Sequence, residues 1–337
     1  MTASGAPWPA AVAVSGGSDS LALMHLLRDW AKARALAPPV VVTVDHGLRP
    51  EAAVEAKKVV RWARKCGLQA HVLASEAPPP IADIEASARK LRYRLIGAFC
   101  RKKKLAAVYV AHTRDDQAET ILMRLARGSG VDGLAGMRPL APYPDPDFAA
   151  VSVVRPLLGI QRHALRDLLL ARRQTWIEDP MNADARFARV RVRLAWPQLA
   201  PLGLTPERLA ETAIHLARAR ESLEIVSQAV LTRACQPCRG GFAVDSAALA
   251  SAPLELGLRA LAKILMTVSR NPYRPRFDRL SALLAAITGN SLGGGRTLHG
   301  CRVGPAPKAA RLFGPGTLLV EAEKGRSGLG KPRSGAK

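Results

Sequence analysis

Over the first 125 residues, short apolar runs alternate with longer amphipathic stretches. The runs are AAVAV from position 10, PVVVTV from 39, QAHVLA from 69 and AAVYVAH from 106; the stretches between them predict helices near 18–34, 51–66 and 84–103, with another after the last run. Runs that are apolar throughout suit strands covered on both faces, and strand–helix alternation implies right-handed crossovers. The pattern therefore predicts an α/β fold with a doubly wound parallel sheet. Ligands bind such sheets beyond the carboxyl ends of the strands, which directs attention to the polar residues that follow AVAV, VVVTV and VYVAH.

The pattern changes further along. A Pro-rich loop, APYPDPDFA, occupies 141–149, and Thr205 with Pro206 forms an N-cap and first-turn pair before a long helix carrying Leu209, Leu216, Leu223 and Val230. Helices near 253–269 and 276–288 and strand candidates FAVD, RTLHG and TLLVE complete a small α+β C-terminal domain joined through a helical linker. The expected organisation is a catalytic domain over 1–200, a helical/α+β domain over 201–323 and a basic disordered tail over 324–337.

Composition narrows the partners. Fifty Lys plus Arg against 27 Asp plus Glu give a formal charge of +23, more than solubility requires, so a polyanion is the expected partner. No apolar run reaches the roughly 18 residues that span a bilayer, which favours nucleic acid over membrane. The first 27 residues hold no Lys or Arg, unlike a secretory signal, and five scattered cysteines do not form a disulfide framework. A cytoplasmic location with free thiols is expected.

The chemistry begins at Ser15-Gly16-Gly17-Ser18-Asp19-Ser20. Adjacent glycines let backbone approach a phosphate, and the following helix turns its unpaired N–H groups towards the anion. Walker-type GK[ST] is absent, and Asp19 stands where a phosphate-binding lysine would be; a carboxylate there makes sense with Mg²⁺ between it and the phosphates. A second cluster, Asp45-His46, ends the VVVTV strand, and a third, His112-Thr113-Arg114-Asp115-Asp116-Gln117-Ala118-Glu119, follows VYVAH. Asp116 and Glu119 share a helix face, where they could hold an ammonium or take its proton; the competing reading is a solvated helix start favoured by the dipole. His46 and His112 are equally readable as nucleotide contacts or structural hydrogen-bonding groups.

The loop resembles the SGGxDS signature of the ATP pyrophosphatases. Together with VDHGLR, an ExxARxxRY helix, AHTxDDQxET, the Gly-rich 127–137, Arg155-Pro156-Leu157-Leu158 and Trp176-Ile177-Glu178-Asp179-Pro180, it is similar to the tRNA(Ile)-lysidine synthetases, strongly over 12–193. The resemblance implies an adenine nucleotide alpha-hydrolase-like fold in which ATP and Mg²⁺ adenylylate the C2 oxygen of the wobble cytidine in a CAU anticodon. Free L-lysine then displaces AMP, and the lysidine so formed reads AUA in place of AUG. It further implies that Ser15, Gly16, Gly17, Ser18, Asp19, Ser20, Asp45, His46 and His112 hold the nucleotide, with Asp19 on Mg²⁺. Asp115, Asp116 and Glu119 are then, with Asp19, the catalytic acids.

Two basic segments are candidates for tRNA phosphates: 89–104, with eight basic residues and no acid, and 186–193. Arg89, Arg92, Arg127, Arg189, Arg191 and Arg193 are the expected contacts, and a homodimer is left open. The alternatives are a tRNA cytidine thiolase, a small-metabolite synthetase with the same phosphate loop, and a non-enzymatic RNA-binding protein. A thiolase would want cluster cysteines near the site; the lone Cys235-x-x-Cys238 lies in the second domain, and the basic excess argues against a small-metabolite enzyme.

Overall fold

The structure, a computed structural model, describes residues 7–45, 47, 51–75, 84–178, 184–271 and 273–323, so the expected tail at 324–337 lies outside it. The chain divides into two compact units at 217/218. In the first unit, β1 (Ala10–Ala13), α1 (Ser18–Ala33), β2 (Val40–Asp45), α2 (Glu51–Lys65), β3 (Ala70–Ala74), α3 (Ile84–Lys102) and β4 (Ala107–Tyr109) follow the alternation seen in the sequence. After them come α4 (Arg114–Leu125), the single turn α5 (Val131–Leu134), β5 (Leu140–Pro142), β6 (Ser152–Val154), α6 (Arg162–Ala171) and α7 (Ala188–Leu199). The long α8 (Pro206–Ala234) begins in this unit, where Leu209 and Ala213 pack with Ala118 and Ile121 of α4.

The sheet runs β3-β2-β1-β4-β6-β5, parallel except for the edge strand β5. Its two faces are sorted by the strand period of two. Ala10 and Val12 of β1, with Ala107 and Tyr109 of β4, pack under α1, α2 and α6; Ala11 and Val108 face Tyr93, Ile96 and Cys100 of α3. Both faces are dry, which is why these strands read as unbroken apolar runs. Successive crossovers from β1 lead towards β3, whereas β4 leads the other way to β6. The order therefore reverses between β1 and β4, and a crevice opens beyond their carboxyl ends.

The second unit is an antiparallel sheet of order β7-β8-β11-β10-β9, covered by helices. It contains β7 (Cys235–Cys238), β8 (Gly241–Asp245), α9 (Ser246–Ala250), α10 (Leu254–Ser269), α11 (Phe277–Thr288), β9 (Arg296–Leu298), β10 (Cys301–Pro305) and β11 (Thr317–Ala322). Leu261 and Leu265 of α10 and Leu283 and Leu284 of α11 form its core with Val244, Val303 and Val320 from the sheet. The Cys-x-x-Cys pair is part of the β7–β8 hairpin, and all five cysteines are free thiols. Burial pushes Cys235 up to about 11, so its thiolate, the form that binds metal, is scarce near neutrality.

One glycine in a helix interior has a packing reason. Gly97 of α3 lies against buried Phe148 and Tyr143, and a Cβ there would sit 2.4 Å from a Phe148 ring carbon and 2.9 Å from Tyr143. Gly97→Ala gains helix propensity of about 1 kcal/mol but overpacks the sheet face, a cost of about 1–3 kcal/mol. A net loss of stability in urea denaturation is expected; an unchanged or raised midpoint would contradict this packing.

Candidate active site

The loop between β1 and α1 is a tight turn that pairs the Ser15 amide internally and leaves the amides at the start of α1 without a side-chain cap. Gly16 has φ +94°, and a Cβ there would lie 2.5 Å from Ile177 Cδ1, so the position tolerates only glycine. Ile177 closes over the loop by donating its amide to the Gly16 carbonyl at 2.9 Å. Gly17 is the N-cap of α1 with no side-chain cap, which leaves the first-turn N–H groups for an external anion. Ser20 is committed to the turn itself: its hydroxyl accepts from the Ser15 amide at 3.2 Å and donates to the Gly17 carbonyl at 2.9 Å. Ser18 donates to Asp19 Oδ1 at 3.2 Å.

This turn forms one wall of a cavity of about 800 Å³, with His112, Asp116, Arg162 and Arg193 also lining it. It occupies the crevice beyond β1, β2 and β4, with Val14, Val44 and Val110 contributing apolar lining and Arg89 and Arg92 on the α3 side. Arg89 lies over the Tyr93 ring, 5.1 Å from its centroid. Asp45, at the end of β2, accepts from the Gly47 amide at 3.0 Å. His46 lies outside the described residues.

The α4 acids are not a solvated helix start. Thr113 and Asp116 form a capping box, the Thr113 amide and hydroxyl donating to Asp116 Oδ2 at 2.8 and 2.9 Å. That orientation turns Asp116 Oδ1 to Arg162 Nη2 at 3.1 Å and Arg189 Nη1 at 3.2 Å. Asp115 accepts the Arg162 amide at 2.9 Å and so ties α6 to α4. Glu119, fully buried, accepts from Arg193 Nε at 2.6 Å and Nη2 at 3.3 Å, with Arg162 and Arg189 each 3.7 Å away. Arg162 also reaches back to the phosphate loop, its Nε donating to Asp19 Oδ2 at 3.0 Å.

Three carboxylates, Asp19, Asp116 and Glu119, thus meet three guanidiniums, Arg162, Arg189 and Arg193. Burial pushes the Asp19 carboxyl above its ordinary value, with Arg162 opposing and Asp116 reinforcing the rise. Burial also presses Asp116 upwards, but Arg162, the Thr113 amide and neighbouring cations outweigh it and hold its carboxyl low. Arg162 is buried too, yet the three acids raise it further above the guanidinium range.

Sequence reasoning found the loop and the acids but missed Arg162, which links them. Arg189 and Arg193, expected on tRNA phosphates, are partnered by acids. Arg191 donates to the Ala185 and Arg186 carbonyls at 3.1 and 2.7 Å, and Arg127 is exposed. Val190 is buried in α7. In the Gly-rich 127–137, Arg124 donates to the Gly133 carbonyl at 2.6 Å, and Gln117 pairs with the Met137 backbone at 2.7 and 3.0 Å.

The family model described as PP-loop domain matches residues 7–199. The tRNA(Ile)-lysidine synthase of Methylobacterium nodulans is 42% identical over 283 residues, covering 83% of this chain and 81% of that one. That of Rhodopseudomonas palustris is 40% identical, covering 84% and 82%, and that of Ruegeria pomeroyi 39%, covering 86% and 70%. The solved U34-tRNA thiolase NcsA from Methanococcus maripaludis overlaps at a TM-score of 0.49 and 17% identity, over 64% of this chain and 71% of that one, too loosely to bear on function. With a Gly-rich turn, Asp19 and Asp116 lining one cavity, and with identity of this level over most of its length, the chain belongs to the tRNA(Ile)-lysidine synthase family of PP-loop proteins.

Proposed function

We propose that the chain joins L-lysine to C2 of the wobble cytidine in the CAU anticodon of tRNA(Ile), with ATP converted to AMP and diphosphate. The observation that carries this is the convergence of the Ser15–Ser20 turn with Asp19 and Asp116 on one cavity, with Glu119 buried against the same Arg162, in a chain of this family. In the first step the cytidine C2 oxygen attacks the α-phosphorus and diphosphate leaves. In the second the lysine side-chain nitrogen bonds to C2, the C2–O bond breaks with its electron pair leaving on AMP, and the amine loses a proton. The product, lysidine, reads AUA in place of AUG. These substrates meet in the cytoplasm; no helix among the described residues is long and apolar enough to cross a membrane.

The turn at Ser15–Ser20 would seat the phosphates on the free amides of α1. Around Asp19 the donors are hard oxygens, its own carboxylate and the Ser18 hydroxyl that bonds to it, a set suited to Mg²⁺ that keeps its remaining sites for phosphate oxygens and water. When bound there, Mg²⁺ would neutralise charge gathering on the leaving diphosphate. Asp116 and Glu119 would receive the lysine ammonium and, with Asp115, orient it; only the neutral amine attacks, so a carboxylate of this set accepts its proton. Because Arg162 now touches all three of Asp19, Asp116 and Glu119, an arriving cation must displace part of that guanidinium's contacts. Arg89 and Arg92, which line the cavity from α3, would meet tRNA phosphates there.

Purified protein with ATP, labelled lysine and tRNA(Ile) bearing CAU should put label into the tRNA with release of AMP. Sulfur transfer, or ATP cleavage independent of tRNA, would support the thiolase or small-metabolite alternatives instead. Asp19→Asn should lower AMP formation by about 100-fold or more while the fold persists; wild-type turnover would contradict its place on the phosphate side. Asp116→Asn should impair lysine transfer more than adenylylation, and equal effects on both steps would contradict its assignment to the amine.

A further inference from the structure

We infer that Arg155 is a positioning residue that fixes His112 with its proton on Nε2, so that His112 serves as a hydrogen-bond donor and not as the base for the lysine amine. The inference rests on the proposed reaction for its catalytic part only.

Arg155 follows β6, beside the end of β4 from which His112 emerges. Its side chain is buried, its backbone amide donates to the Pro139 carbonyl at 2.7 Å and its Nη1 to the Arg138 carbonyl at 3.0 Å. Held in this way, Nε donates to Nδ1 of His112 at 3.3 Å. A guanidinium has donors only and keeps its protons, so Nδ1 must present a lone pair; the one proton of a neutral imidazole is then on Nε2. The usual base arrangement is the reverse, in which Nδ1–H donates to a carbonyl or carboxylate and leaves Nε2 free to take a proton.

Protonating His112 would set N–H against N–H. The groups facing the ring are Asp116, Arg155, Arg189 and Arg89; burial and the three arginines outweigh Asp116 and lower the ring to about 4. The ring lines the cavity, and among the described residues nothing accepts from Nε2. It is therefore a fixed donor for a substrate oxygen that gains charge, the role that oxyanion donors play in other transfers. The amine proton lost as nitrogen bonds to C2 must then pass to a carboxylate, Asp116 or Glu119.

The test starts on ligand-free protein and is independent of activity. In nitrogen-15 spectra of the imidazole, assigned by the signals lost in His112→Gln, the ring should show the Nε2–H tautomer and stay neutral well below pH 6.5. An Nδ1–H tautomer, or a titration midpoint near 6.5, overturns the inference whatever the reaction is. Arg155→Met should raise the midpoint and mix the tautomers, which a merely structural role for Arg155 would not do. For activity, a Gln amide can reach the Nε2 position and an Asn amide cannot. kcat should fall by less than about tenfold in His112→Gln and by about 100-fold in His112→Asn. Equal, near-complete loss in both folded variants would make His112 a base and overturn the donor assignment; if Arg155→Met does not fold, the wild-type spectrum and this pair still decide.

Discussion

Glu119 has no solvent exposure, and Arg193 grips both of its carboxylate oxygens while Arg162 and Arg189 flank it. Burying a carboxylate costs several kcal/mol unless opposite charge and hydrogen bonds offset it. Here the offset comes from α6 and α7, 43 or more residues further along the chain. Asp116 and Asp19 join the same set through Arg162, so the phosphate loop, α4, α6 and α7 are fixed relative to one another by one electrostatic constraint. The cavity has its shape because that set closes one side of it. Arginine suits the task better than lysine, since its planar fork can serve two carboxylates at fixed angles.

The constraint also bears on chemistry. A site whose acids already hold cations is organised for cations before any substrate arrives, and the reorganisation needed on binding is an exchange of partners. Asp19 and Asp116 show how closely placed acids diverge: burial governs the first, whereas Arg162 and the Thr113 amide govern the second. A pair of carboxyls with proton affinities pushed apart can divide work between holding a charge and receiving a proton. Arginine takes a second role at Arg155, where it meets a neutral imidazole and sets which nitrogen carries hydrogen.

Much of the parallel sheet was legible in the sequence because its central strands β1 and β4 are buried on both faces; Val12 and Val108 cannot be mistaken for half-exposed positions. The three-residue strands β5 and β6 were not, since they are too short to show a period and β5 contains Pro142. Strand β7 was read only as a cysteine pair because Pro237 sits within it. At the site, Gly16-Gly17 and Asp116 with Glu119 were visible as local motifs. Arg162, Arg189 and Arg193 were not, because an ion pair between residues 46 to 143 positions apart leaves no local pattern, and a run of arginines reads as a surface. The one available signal was Glu119 at a helix position flanked by Ala118 and Ile121, a charge on an apolar face that requires a partner.

The most direct test of the account is a double-mutant cycle on Glu119 and Arg193. All five tryptophans, Trp8, Trp30, Trp62, Trp176 and Trp196, lie in the first unit, so tryptophan fluorescence during urea denaturation reports on that unit alone. Glu119→Gln and Arg193→Gln should each destabilise it by about 3–5 kcal/mol, because each strands its partner in a buried place. The double variant should lose far less than the sum, with a coupling of about 2 kcal/mol or more. Additive losses would mean that the two side chains do not depend on each other and that the acid–arginine set does not hold this site together.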